Sequence, residues 1–147
     1  MVKKVQNIPE LIIGDIFKDV RGEVGFVNSF NFKNIKRFYT LKNNRKNNIR
    51  AWHGHKKEAK YIHILSGKVL FGAVEIDNWI NASKKLHVYK FKLDSKKPSI
   101  LYIPSGFANG FQSLTADAKL MIFSTSTLKD SINDDIKFEK NYWNIWV

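Results

Sequence analysis

The sequence predicts an all-β fold, a sandwich or barrel forming a single domain over residues 1–147, and three observations carry that expectation. Apolar residues recur in short runs rich in Val, Ile, Phe, Tyr and Trp, each roughly five to nine residues long, as strands require. Clusters of Asn, Lys and Gly separate the runs, as turns do. The length of 147 residues suits one domain of the commonest size, ~100–150 residues, and no repeat, low-complexity tract or Gly/Ser linker divides it.

The elements follow in order. Glu23–Asn28 is a strand after the Gly22 turn, and Ile35–Leu41 is the next. The polar run Asn43-Asn44-Arg45-Lys46-Asn47-Asn48 turns the chain into Ile49–His55. Lys60–Leu65 and Lys68–Ile76 flank Gly67, which marks another turn. Leu86–Leu93, Ser99–Ile103 and Ala118–Thr125 complete the strands. Only the tail hints at helix, where Ser131 and Asp134 have the spacing of a capping box.

Composition excludes several classes. A chain of ~150 residues buries roughly 68–70% of its unfolded surface, and with 44% hydrophobic residues this one needs no staple to fold. It contains no cysteine, so disulfides, iron–sulfur clusters, thiolate zinc sites and cysteine nucleophiles are excluded. The start lacks a signal-peptide apolar run. Runs such as Leu11-Ile12-Ile13 fall far short of the ~20 residues that span a bilayer. The expectation is a soluble, cytoplasmic protein with no membrane partner.

The 25 Lys+Arg outnumber the 13 Asp+Glu, a formal net charge of +12. The basic residues are scattered over Lys3-Lys4, Lys33 to Arg37, Lys42 to Arg50, Lys84-Lys85 and Lys96-Lys97. No stripe gathers them, so nucleic acid is not the expected partner. An anionic small ligand, or solubility alone, accounts for the charge.

The sharpest chemical feature is Ile49-Arg50-Ala51-Trp52-His53-Gly54-His55-Lys56. On a strand, His53 and His55 share a face. Two imidazoles together are a metal site, acid–base machinery or a structural pair. The second feature is a strand ending in Ile103-Pro104-Ser105-Gly106, with Asn109 on the strand that follows.

Together these segments resemble the paired motifs of the cupin superfamily: His-x-His, then Glu, then Gly, followed by Pro-x-Gly and His. The spacing fits at His53, His55, Gly67, Pro104 and Gly106. Two metal-ligand positions are changed, to Lys60 and Asn109. An ammonium cannot ligate a cation and repels one. The resemblance therefore implies a double-stranded β-helix, the cupin jelly roll, with neither metal nor cofactor. Glu58 is a possible rescue ligand, at an odd spacing.

Further residues resemble the dTDP-4-dehydrorhamnose 3,5-epimerase family. Asp19-Val20-Arg21-Gly22-Glu23-Val24 looks like its opening, and Arg50-x-x-His53 like the strand carrying its base. Lys60, Gly67-Lys68-Val69 and Ile103-Pro104-x-Gly106-Phe107-Ala108-x-Gly110-Phe111 follow the same pattern. Ile35-Lys36-Arg37-x-Tyr39 and His53-x-His55-Lys56 look instead like the dTDP-sugar 3,4-ketoisomerases.

The family's catalytic tyrosine falls near Ile122 or Phe123 here, and neither donates a proton. Its orienting aspartate lies beyond a final Ile-x-Trp, whereas this sequence stops at Ile145-Trp146-Val147. Both departures make the epimerase constellation incomplete.

The resemblance implies an isomerase of surface polysaccharide biosynthesis, acting on a nucleotide-linked 4-keto-6-deoxy sugar, with dTDP as the expected nucleotide. It is expected to epimerise carbon 3, carbon 5 or both, with movement of the ketone from 4 to 3 as the alternative. A sugar-binding cupin without activity is the alternative from another class. His53 is implied as base, His55 as proton shuttle or sugar ligand, Lys60 as enolate stabiliser and Tyr39 as acid. Arg21, Arg37 and Arg50 are implied to hold the pyrophosphate, with Asn109 also contacting substrate. A homodimer formed by strand exchange is implied as well. Trp52, Phe107, Phe111, Trp143 and Trp146 are expected to fill the barrel and a subunit interface.

Overall fold

The strand periodicity is realised almost throughout residues 7–147, the part of the chain that this computed structural model describes; Lys3-Lys4 lies outside it. The first strands are β1 (Glu10–Ile13), β2 (Asp15–Asp19), β3 (Gly22–Phe26) and β4 (Arg37–Lys42). Next come β5 (Ile49–His55), β6 (Lys60–Ser66), β7 (Lys68–Glu75) and β8 (Tyr89–Asp94). The chain ends with β9 (Ser99–Ile103), β10 (Phe107–Ser113), β11 (Lys119–Ser124), the helix α1 (Leu128–Ile132) and β12 (Ile136–Lys137).

Two five-stranded antiparallel sheets form a jelly roll, in the orders β1-β9-β6-β11-β4 and β12-β5-β10-β7-β8. Alternation decides what lies between them. Ile62, Ile64, Leu101, Leu120 and Ile122 of the first sheet meet Val69, Phe71, Phe107 and Phe111 of the second in one buried cluster. Burying a side chain of this kind is worth roughly 1.5–3 kcal/mol, so this cluster fixes the sandwich.

The inward rows change character along the barrel. Leu41 stands opposite Leu120, and Tyr39 opposite Ile122, which is itself opposite Ile62. In the last row Arg37, Ser124 and Lys60 stand side by side. Lys60 of that polar row lines the cavity, together with Tyr39, Ile122 and Leu41 of the rows before it.

Gly67 and Gly106 have φ of +74° and +87°, which glycine adopts without a Cβ penalty. Each makes a tight turn into an inward-facing strand, β7 and β10.

Three expectations need correction. β1 and β2 were not anticipated, because Leu11-Ile12-Ile13 reads as an isolated apolar patch. The Ser131–Asp134 capping box does not exist: α1 is capped by Thr127, whose side chain accepts from the Asp130 amide. Ser131 lies inside the helix, and Asp134 lies beyond it. Phe107 and Phe111 do fill the barrel, whereas Trp52 and Trp143 pack in a second cluster with Val74 and Ala108. That cluster lies on the back of the second sheet, with Trp146 packed against it. Trp52 there donates to the Lys140 carbonyl at 3.2 Å, and Trp143 donates to Ser83 at 2.9 Å.

Candidate active site

The cavity encloses about 210 Å³ between the sheets. Arg50, His53 and His55 line it from β5, Asn109 from β10, Lys60 from β6 and Tyr39 from β4. Asn109 stands directly across from His53 in the β10–β5 ladder. On a regular strand Arg50 and His53, three apart, would face opposite ways. The register slips here: Phe111 pairs with Arg50 and Asn109 with His53. β5 thus carries one extra residue against β10, a bulge that turns both side chains into the cavity.

Each imidazole is fixed by a partner on the segment joining α1 to β12. His53 Nδ1 is 3.0 Å from Asp135 Oδ1. A carboxylate only accepts, so Nδ1 carries a proton, and in the neutral ring the lone pair is on Nε2. His55 Nδ1 donates to the Asp134 carbonyl at 2.7 Å. Its Nε2 is buried with no protein partner, an unmet acceptor that a ligand hydroxyl or a donated proton would satisfy. Burial pushes the His55 ring below the usual imidazole range, Lys60 adds to the effect, and Glu58 opposes it.

The segment is held in turn. β12 pairs with β5, Ile136 opposite Gly54 and Lys137 opposite His53. The Asp134 carboxylate accepts from the backbone amides of Lys56, Lys57 and Glu58 at 2.8, 2.9 and 3.0 Å.

Lys60 is buried, with 8% of its surface exposed, so it is not a surface lysine. Glu58, also buried, accepts from Ser124 at 3.0 Å and from Ser131 at 2.6 Å. With its oxygens so occupied and Lys60 Nζ 3.7 Å away, Glu58 is not arranged as a metal ligand.

Two arginines depart from the rest. Arg37 does not line the cavity; its guanidinium carbon lies 4.6 Å from the centre of the Tyr39 ring. Arg21 stands on the exposed β2–β3 hairpin, Nη2 2.6 Å from Asp19 Oδ2. That pairing holds the Asp19 carboxyl below its usual range and the guanidinium above its own.

The tyrosine position expected on β11 is apolar, as read: Ile122 lines the cavity. Its neighbour across the ladder is Tyr39, so a phenol enters the same region from the adjacent strand. The expectation that the carboxylate behind His53 is missing is corrected by Asp135. The sequence assigns Asp134 only to a capping box and Asp135 to nothing; the β12–β5 pairing brings both against the histidine strand, where they bond His55 and His53.

Two oriented imidazoles, a buried lysine and a phenol on the facing sheet form an arrangement with the chemical capacity to move protons beside a developing negative charge. A family model described as dTDP-4-dehydrorhamnose 3,5-epimerase matches residues 7–146, and the chain belongs to that family of isomerases. No curated protein matches the chain.

Among solved structures, the dTDP-4-dehydrorhamnose 3,5-epimerase of Sulfolobus tokodaii is 24% identical, with a TM-score of 0.75 over 97% of this chain and 83% of that one. The Bacillus anthracis epimerase, with TDP and pyrophosphate bound, is 20% identical, with a TM-score of 0.76 over 94% and 84%. A variant of the 3,4-ketoisomerase QdtA from Thermoanaerobacterium thermosaccharolyticum, in complex with TDP-4-keto-6-deoxyglucose, is 20% identical, with a TM-score of 0.69 over 95% and 94%. No helix among the described residues is long and apolar enough to cross a membrane.

Proposed function

We propose that the protein epimerises a dTDP-linked 4-keto-6-deoxy sugar at carbon 3, carbon 5 or both. One observation carries this choice. His53 and Tyr39 belong to opposite sheets and line the same cavity, so a sugar ring between them has the base on one face and a proton donor on the other. His53 Nε2 removes the proton next to the ketone, breaking the C–H bond and leaving an enolate. Lys60, itself buried, stabilises the enolate oxygen. Tyr39 then returns a proton to the opposite face of the same carbon, and the ketone stays at position 4.

Arg50 is assigned to the pyrophosphate, since guanidinium suits bidentate phosphate contacts, and Asn109 to a sugar oxygen beside the base. Arg37, stacked on Tyr39, holds the phenol more directly than it holds a phosphate. Arg21 reaches no part of its own chain's cavity, and the hairpin that carries it exposes Phe17, Val20 and Val24. Both facts support a homodimer in which each hairpin serves the partner's cavity. An exposed apolar hairpin is also unfavourable in a lone chain.

A ketoisomerase is the second reading, favoured by one feature. His55 Nε2, unpartnered, is on the same strand as His53. Two bases on one wall suit proton transfer between adjacent carbons on one face. Incubation with dTDP-4-keto-6-deoxyglucose in heavy water, read by NMR, separates the readings. Deuterium at carbon 3 or 5 with the ketone kept at 4 is the expected result. A ketone at 3 with deuterium at carbon 4 establishes the ketoisomerase instead. Binding without exchange leaves a sugar-binding protein.

A further inference from the structure

Glu58 has no role in the chemistry above, yet it is among the least accessible charged groups of the described residues, with a fully buried side chain. We infer that Glu58 is a positioning residue that holds the Lys60 ammonium in place under the reacting oxygen; the inference rests on the role proposed for Lys60. Burying a carboxylate carries a large desolvation cost unless it is hydrogen-bonded and paired. Here both conditions are met within one cluster. Ser124 donates to Oε1 at 3.0 Å and Ser131 donates to Oε2 at 2.6 Å. Lys60 Nζ is 3.7 Å from Oε1, and His55 Nδ1 is 3.8 Å from Oε2.

The two lengths around Oε1 matter. The serine contact is a hydrogen bond, while 3.7 Å is an ion-pair separation beyond hydrogen-bonding reach. The carboxylate therefore centres the ammonium by charge without occupying its donors. Those donors stay available to an oxygen in the cavity, which Lys60 lines.

The anchor is itself rigid. The Glu58 backbone amide donates to Asp134 Oδ2 at 3.0 Å, and Asp134 supplies the carbonyl that fixes His55. Lysine, histidine and carboxylate are thus fixed through one segment. The same carboxylate raises the proton affinity of His55, against burial and Lys60. A group that only filled space here would need no charge, and glutamine would serve equally well.

That comparison supplies the experiment, a double-mutant cycle on kcat with dTDP-4-keto-6-deoxyglucose. Glu58→Gln keeps the shape and the hydrogen-bonding capacity toward Ser124 and Ser131 but removes the charge. The expected result is a roughly tenfold fall in kcat, well short of the ~100-fold that an ångström's misplacement of a reacting group costs. KM should change less than about twofold, since ground-state contacts remain.

Combined with Lys60→Gln, the same change should have no further effect, because the ammonium it positions is gone. An equal fall in both backgrounds overturns the inference and leaves Glu58 a structural group. Full activity in Lys60→Gln alone overturns the proposed role of Lys60, a distinguishable failure. If Glu58→Gln does not fold, Ser124→Ala, which frees Oε1, replaces it in the cycle. A fall in kcat that disappears in the Lys60→Gln background supports the inference, and one that persists there overturns it.

Discussion

The β5 wall of the cavity and the wall formed by β4 and β11 face the same space but are held in different ways. On β5, each imidazole is tied by its Nδ1 to a neighbouring segment, His53 to Asp135 and His55 to Asp134. On β4, Tyr39 is set by packing, with Arg37 stacked on its ring and Ile122 beside it on β11. The difference matches what each group would do in the proposed reaction. A base needs a defined tautomer before the substrate arrives, and a hydrogen bond to the other ring nitrogen supplies it. A phenol has one proton and no tautomer, so it needs only a direction.

The largest expected effect is on the wired wall. His53→Asn keeps a donor but cannot accept the proton, so kcat should fall by at least ~100-fold, the low end for loss of a general base. Binding of dTDP should change little. Near-normal turnover by a folded variant would remove the β5 wall from the chemistry. On the packed wall, Tyr39→Phe should reduce product formation by about 100-fold, the low end of general-acid catalysis. Proton abstraction should survive it, so wash-in of deuterium from heavy water should outpace product formation. Parallel loss of exchange and product would mean that Tyr39 does more than return a proton.

Asp135→Asn probes the link between base and segment. Removing the carboxylate behind a working imidazole in metal sites costs ~10–100-fold, and turnover should fall near the middle of that range. The amide can donate to Nδ1 and stabilise the wrong tautomer, so Asp135→Ala should retain at least as much activity as Asp135→Asn. The opposite order would point to a role in packing rather than in orienting the ring.

The same contrast explains how much was legible in the sequence. The bounds of Ser99–Ile103 and Ile49–His55 were read to the residue, the first from an apolar row that places Leu101 and Ile103 in the core, the second from the polar turn before it and the residue types within it. His53, His55, Lys60, Tyr39, Arg50 and Asn109, which line one cavity, could be named from the sequence because they lie on strands and in matching motifs. Asp134, Asp135 and Ser131 could not be placed there, since their significance depends on a two-residue strand pairing across eighty residues. No periodicity marks so short a ladder. Arg50 and His53 share a wall only through a bulge, which the sequence does not announce.

Outside both walls, Arg21 tests whether the cavity is complete in one chain. Arg21→Ala should raise KM for the nucleotide sugar about tenfold, corresponding to ~1.5 kcal/mol for a hydrogen bond to a charged group. Turnover at saturation should fall less. Mixing Arg21→Ala with His53→Asn subunits under exchange conditions should restore activity above either parent, because a hybrid dimer holds one cavity with both residues intact. No gain on mixing would mean that the hairpin does not serve a partner's cavity.

The smallest effect separates the two histidines of the wired wall by their surroundings. His55 faces Lys60, Glu58, Asp135 and the Asp134 carbonyl, and burial, the dominant cause, places its folded pKa below the usual imidazole value. The unfolded chain therefore binds more protons than the native one between the folded pKa and about 6.5, the ordinary histidine value. Stability must rise with pH through that window. The contribution of the neutral ring is complete above about pH 6.5 and is lost as pH falls through the lowered folded pKa. One proton gives a slope of at most ~1.4 kcal/mol per pH unit. Urea unfolding at pH 7.5 and pH 5.5 measures it, and the loss on acidification should be smaller in His55→Gln than in the parent. Equal losses would mean that His55 takes up its proton without opposing the fold. The unpartnered Nε2 would then be solvated rather than held dry for the substrate.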